Sequence, residues 1–259
     1  MRWRKNVMDR PRVLACVALL TLPTASVAFQ AQNPGEVAAR LGTGIGAAVI
    51  AGDDEGLTEM VALARRAVTA FPEDGLVQHY LGYALYRMAT LRFDADPDGA
   101  LAILFESESS LLRSIELEPI PESHALMSSV LGRQIVSDET AMSLSMRSGA
   151  EMRRAVQMGP RNPRVKVLEG ISAFHTPSMY GGGYDIALDR FLAAVALFEE
   201  DAPESPLPAW GRAEVYAWLG QTYVALRMPE EARAAYERAL EIEPSYAWVR
   251  DTLLPALSP

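Results

Sequence analysis

Two short amphipathic patterns that meet at a proline constrain this chain more than any other feature. They run through AEVYAWLGQTYVALRMPEEARAAYERALEIEPSYAWV and join at Met228–Pro229. The first sets Tyr216, Leu219, Gly220 and Tyr223 at spacings of three and four. The second does the same with Ala232, Tyr236, Ala239 and Leu240. Such spacings gather side chains on one face of a helix. Pro229 can open a helix, because its missing N–H falls in the first turn, and Pro244 stops one. Gly220 and Ala232 are small where the two helices would cross closely. A helix pair this short has too little core to stand alone and needs neighbours.

Those eight positions carry a resemblance. Ala213 to Tyr246 resembles a tetratricopeptide repeat (TPR) of 34 residues. Tyr216, Leu219, Gly220, Tyr223, Ala232, Tyr236, Ala239 and Pro244 fall where that family has an aromatic, Leu, Gly, Tyr, Ala, an aromatic, Ala and Pro. Arg227 departs from it, standing where a turn glycine is frequent. The resemblance implies an all-α fold, a right-handed superhelical array of antiparallel helix pairs. It also implies an inner groove, lined by the first helix of each pair, that receives extended peptides or partner helices.

The shape returns upstream. EMVALARRAVTAFPED reads as a second helix with Ala64 and Ala67 inward, a partial unit over 56–72. Leu81–Gly82 marks a unit over 73–119, and Leu131–Gly132 marks another over 120–160. A fourth covers 161–200, and the Pro-rich joint DAPESPLPAWG precedes the 213–246 unit. A capping helix is expected at 246–257. The repeat domain so read spans 56–257. Residues 29–55 show no clear pattern and read as a linker or irregular N-terminal segment, or as a poorly matched first helix.

The N-terminus has the form of an export signal. Arg2, Arg4, Lys5, Arg10 and Arg12 precede the apolar run VLACVALLTL, and Ser26 and Ala28 fit a small-x-small cleavage site. Residues 1–28 are therefore expected to be removed, leaving an exported, periplasmic or secreted domain. Its only cysteine, Cys16, would leave with the signal. The exported part then has 19 basic against 32 acidic residues. A surface so acidic, with no basic cluster, disfavours nucleic acid as a partner. No second apolar run is long enough to cross a bilayer, so the mature domain is not expected to be transmembrane.

The stretch FHTPSMYGGGYDIALDRFLAAV reads as a turn between two helices, with Pro177, Gly181, Gly182 and Gly183 as structural loop residues. A phosphate loop would need Lys followed by Ser or Thr after a strand, and here Tyr184 and Asp185 follow. This region is similar to a segment of exported bacterial TPR proteins of poorly defined role, through Asn162, Pro163, Arg164, Thr176, Pro177, Gly181, Gly182 and Ala187. That likeness implies export and a scaffold.

Chemistry is sparse. His79, His124 and His175 lack metal spacing. Asp94, Asp96 and Asp98 alternate, but a calcium loop counted from Asp94 puts Phe105 where glutamate is needed. Met142 and Met146 share a helical face and read as core filling. Tyr83, Tyr86 and Arg87 are the candidate binding residues, since aromatic and Arg side chains anchor interfaces. No catalytic residue, metal or cofactor is expected. The reading is an exported, non-enzymatic scaffold that binds an unknown protein or peptide. The alternative is a small-ligand-binding component associated with an envelope transporter.

Overall fold

A computed structural model describes residues 33–257, so the leader reading of residues 1–28 lies outside the described residues. Within them the helices are α1 (Pro34–Ala51), α2 (Asp54–Ala70), α3 (Gly75–Arg92), α4 (Pro97–Leu117), α5 (Pro121–Arg133), α6 (Asp138–Met158), α7 (Pro163–His175), α8 (Tyr184–Phe198), α9 (Glu214–Ala225) and α10 (Pro229–Ile242). A π-helical turn, Trp248–Leu253, runs into Leu254–Ala256 and caps the array. No strand occurs among the described residues. Each odd-numbered helix packs on the next to form an antiparallel pair, and the pairs stack in chain order.

The N-terminal segment corrects the linker reading. Residues 34–51 form the first helix of a complete first pair, of which α2 is the second. Asn33 caps it by accepting from the Gly35 N–H, and Pro34 occupies the first turn. Val37, Ala38, Leu41, Ile45 and Ala48 form its buried face. Gly52 ends it in the left-handed region, donating to the carbonyls of Ala48 and Val49. The glycines of GTGIG hid the pattern, because glycine lowers helix propensity. Gly42 is there for contact, since a side chain would strike the Tyr80 ring.

The close crossing expected at Gly220 is present. A Cβ at Gly220 would run into the buried Tyr236 ring, and Gly170 and Gly82 meet Phe191 and Leu111 in the same way. The α5/α6 pair differs. Nothing faces Gly132, and the small residue at the crossing is Ser128, one turn earlier, whose hydroxyl lies 3.0 Å from that of Ser148. Gly220→Ala should therefore cost about 1–3 kcal/mol by overpacking. Gly132→Ala should be neutral or stabilise by up to about 1 kcal/mol through helix propensity. Urea melts of the two variants check this, and equal effects would refute the difference in crossing.

The joint between the fourth and fifth pairs crosses the inner face of α3. Tyr80 donates its hydroxyl to the Pro206 carbonyl at 2.6 Å, and Trp210 stacks on Tyr83 with centroids 5.2 Å apart. Arg87 of α3 pairs with Glu214 of α9 at 2.6 Å. Ile50 at the end of α1 packs with the cap around Tyr246 and Val249. The array thus turns back so that its first pairs touch its last.

The Asn162–Pro163–Arg164 motif is a structural tie. Asn162 caps α7 through its side-chain oxygen, and its amide donates to Glu122 at 2.7 Å. Arg164 donates to Glu122 at 3.2 Å and forks onto Asp201 at 2.8 and 2.6 Å. One guanidinium therefore joins the third pair, the fourth pair and the joint.

Candidate functional site

Helix lengths create an opening on the inner side. α6 has 21 residues, whereas its neighbours α5 and α7 have 13 each. At about 1.5 Å per residue the shorter helices leave roughly two turns of α6 uncovered. Ala155 is its buried residue, while Met142 and Met146 are 76% and 70% exposed. This corrects the reading of those two methionines as core. Met127, by contrast, is buried.

The result is a cleft of about 1910 Å³, open to solvent. Met142, Met146 and Met152 of α6 line it, as do Trp210, Trp218 and Trp248. Trp218 stacks over Phe191 (6.4 Å) and meets Phe174, His175 and Trp248 edge-on at 5.6, 5.7 and 5.6 Å. These contacts hold the wall rigid and leave indole surface toward the cavity. Tyr180 stands at the rim, 74% exposed, on the glycine turn.

That turn joins α7 to α8 and contributes to the cleft. Gly181 and Gly183 have φ of 86° and 115°, which side-chain-bearing residues rarely adopt. A Cβ at Gly182 would strike the Thr176 carbonyl. The turn is pinned by the Gly183 N–H donating to Ala173 at 2.9 Å. Pro177, Gly181 and Gly182 line the cavity together with Tyr180.

The proposed Tyr83, Tyr86 and Arg87 groove is placed differently. Tyr83 is 1% exposed beneath Trp210 and does not face the cavity. The chain's own joint occupies the space where a peptide was expected. Tyr86 and Arg87 lie on the cleft floor, but Arg87 is already paired with Glu214. Burial works against the Arg87 charge; Glu214 outweighs that and raises its pKa. The hydroxyl of Tyr83, Thr90 Oγ1 and Trp210 Nε1 are buried without hydrogen-bond partners.

The repeat positions lie in the last helix pair. Leu219, Gly220, Ala232, Tyr236 and Ala239 are buried, Tyr216 and Tyr223 are half-buried, and Pro244 follows α10. Arg227 adopts φ of 63°, the conformation for which glycine is usual at that turn.

The histidines have separate surroundings. His79 Nδ1 lies 2.9 Å from Ser123 Oγ, but both residues are fully buried and no substrate reaches them. His124 pairs with Glu151 at 2.6 Å. His175 lines the cleft, where burial and then the nearby Arg133 charge lower its pKa, so the ring is neutral at pH 7. Asp96 accepts from the Gly99 N–H as the cap of α4. No group of three or more His, Cys, Asp or Glu is arranged to hold a metal among the described residues. None of the described helices is long and apolar enough to cross a membrane.

The tryptophans were missed from sequence. Trp218 and Trp248 meet where the cap packs on α9, and Trp210 reaches the cleft from the joint, stacked on Tyr83. A tryptophan census was the available signal, since three of the four tryptophans lie between residues 210 and 248.

The tetratricopeptide-repeat family matches residues 213–246. Among solved structures, the HusA haemophore from Porphyromonas gingivalis has a TM-score of 0.62 at 21% identity, covering 76% of this chain and 96% of its own. A thermophilic TPR protein from Thermus thermophilus has a TM-score of 0.56 at 19% identity, covering 86% and 95%. No curated protein matches the chain in sequence. At these identities the likeness is one of fold: a TPR-like solenoid of antiparallel helix pairs.

Proposed function

We propose that this solenoid carries a small, flat, apolar ligand in its inner cleft, as a binding component of an envelope transport route. The observation that carries the reading is the cleft itself. Tryptophans and exposed methionines line it together. Apolar and aromatic surface left open inside a fold, with polar groups among it to orient a ligand, is the usual form of a small-molecule site. Thioethers and indoles suit an aromatic plane, since both are polarisable. A similar fold serves a haemophore, so a tetrapyrrole is the first ligand to try. The leader-like N-terminus supports a place outside the cytoplasm.

A second reading, a partner protein segment laid along the cleft, is favoured by its size. At about 1910 Å³ it exceeds the roughly 300–1,000 Å³ usual for small-ligand pockets. Exclusion of a bound tetrapyrrole by a partner, or the reverse, would show that both use this surface.

The test uses the tryptophans as reporters. With residues 1–28 removed, the remaining tryptophans all line the cleft. Protoporphyrin IX should quench their emission saturably. Met142→Glu/Met146→Glu should weaken binding at least about tenfold, because burying one such side chain is worth about 1.5–3 kcal/mol. Both sites are exposed, so the melting temperature should barely move. Linear, unsaturable quenching, or full affinity in the double variant, would refute the assignment.

A further inference from the structure

We infer that the cleft ligand is an acid, and that Arg133 and Arg153 receive its carboxylates on either side of Met146. The inference rests on the cleft reading above and adds the chemical class of its ligand.

The charges along the cleft sort into satisfied and unsatisfied ones. Arg87 is neutralised by Glu214. Arg190 pairs with Glu169 at 3.1 Å, a single carboxylate that it shares with Lys166 at 2.7 Å. Arg133 and Arg153 line the same cavity without an ion pair. In a chain with net charge −9, acidic partners for two arginines are plentiful. These two face the cavity instead.

Arg133 lies over the Phe93 ring, 5.4 Å from its centroid, a cation–π contact that leaves its N–H groups without a carboxylate. Arg153 folds back along α6: its Nη1 is 3.3 Å from where a Cβ at Gly149 would stand. The glycine notch therefore brings the cation toward Met146, one turn further along the same face. The planar guanidinium fork suits a carboxylate.

Their placement follows from the helix crossing. Ser128 of α5 touches Ser148 of α6, and the two helices are antiparallel. Arg133 lies five residues beyond the crossing in one direction, and Arg153 five residues beyond it in the other. The backbones are thus about 15 Å apart along the helix axis, with Met146 between them. A flat body over Met146 would present its edges to both cations. Asp138 and Asp94 also line the cleft. Asp138 starts α6, where the helix dipole favours its charge, and lies about four turns from Arg153. The neutral His175 adds no charge.

The experiment compares protoporphyrin IX with its dimethyl ester, in the same dilute detergent, on the leaderless protein. The variants are Arg133→Gln, Arg153→Gln and Arg153→Lys, each with its fold verified by circular dichroism. Wild type should prefer the diacid. Each glutamine variant should weaken diacid binding roughly fivefold or more and leave diester binding within about twofold, and Arg153→Lys should keep most of the affinity. Equal affinity of wild type for the two compounds overturns the inference while the cleft reading survives. Equal loss of both ligands in the glutamine variants does the same. If neither compound quenches saturably, the cleft reading falls and this inference falls with it.

Discussion

Arg164→Gln is expected to destabilise the protein by about 3–5 kcal/mol, the largest effect anticipated for a single substitution. The guanidinium is 3% exposed and serves two carboxylates from different parts of the chain, Glu122 and Asp201. Glutamine leaves both acids buried without their counter-charge. Burial opposes the Arg164 charge, but the hydrogen bond to Asp201 and the two carboxylates outweigh it, so its pKa is raised. For a chain of this length the loss lowers Tm by on the order of 10 °C. Adding Glu122→Gln and Asp201→Asn to the variant should recover part of the loss, because the remaining groups are then neutral. Thermal melts followed by far-ultraviolet circular dichroism check both steps. A single variant that melts within about 2 °C of wild type would show that the three residues are not coupled.

Acidification should destabilise the protein through His79. The ring is fully buried on α3, and burial lowers its pKa from 6.5 to about 3. The folded chain therefore holds this histidine neutral, whereas the unfolded chain protonates it near pH 6.5. Between those values the unfolded state binds more protons, so stability falls as pH falls. The full effect is on the order of 5 kcal/mol, present above about pH 6.5 and lost progressively toward about pH 3. His175 adds a smaller change of the same sign, because its pKa is also lowered. Asp54, whose pKa the hydrogen bond from Arg92 lowers, acts at still lower pH. The range from about pH 7 to about pH 5.5 thus separates the histidines from ordinary carboxylates. His79→Asn should be less stable at neutral pH but show a flatter dependence over that range in urea melts. His175→Asn should keep most of the wild-type slope. An unchanged slope in His79→Asn would exclude the buried ring as the cause.

Local pattern carried the helix pairs far. Where an aromatic, Leu–Gly and Ala recur at fixed spacing, as from Tyr216 to Ala239, the contacts that matter are within one pair. Gly220 against Tyr236 follows from those residues alone. The glycine turn after Pro177 was legible for the same reason, since backbone conformation and a close carbonyl demand glycine locally. Pattern misled where composition disguised it. The glycines of α1 broke its apolar face, and Leu131–Gly132 resembled a crossing that the chain makes at Ser128 instead.

The site lies at the other extreme. Met142 and Met146 have a helical spacing that fits a core, and nothing in their segment says that α5 and α7 are too short to cover them. Tyr83 and Arg87 occupy an inner face, yet the joint with Trp210 and the incoming Glu214 cover that face from more than a hundred residues away. The sequence by itself determined which segments are helices and how each pair closes, because those energies depend on neighbours a few turns apart. The tertiary structure alone decided what stays open, because a cleft is set by mismatched helix lengths and by the bend that brings the first and last pairs together.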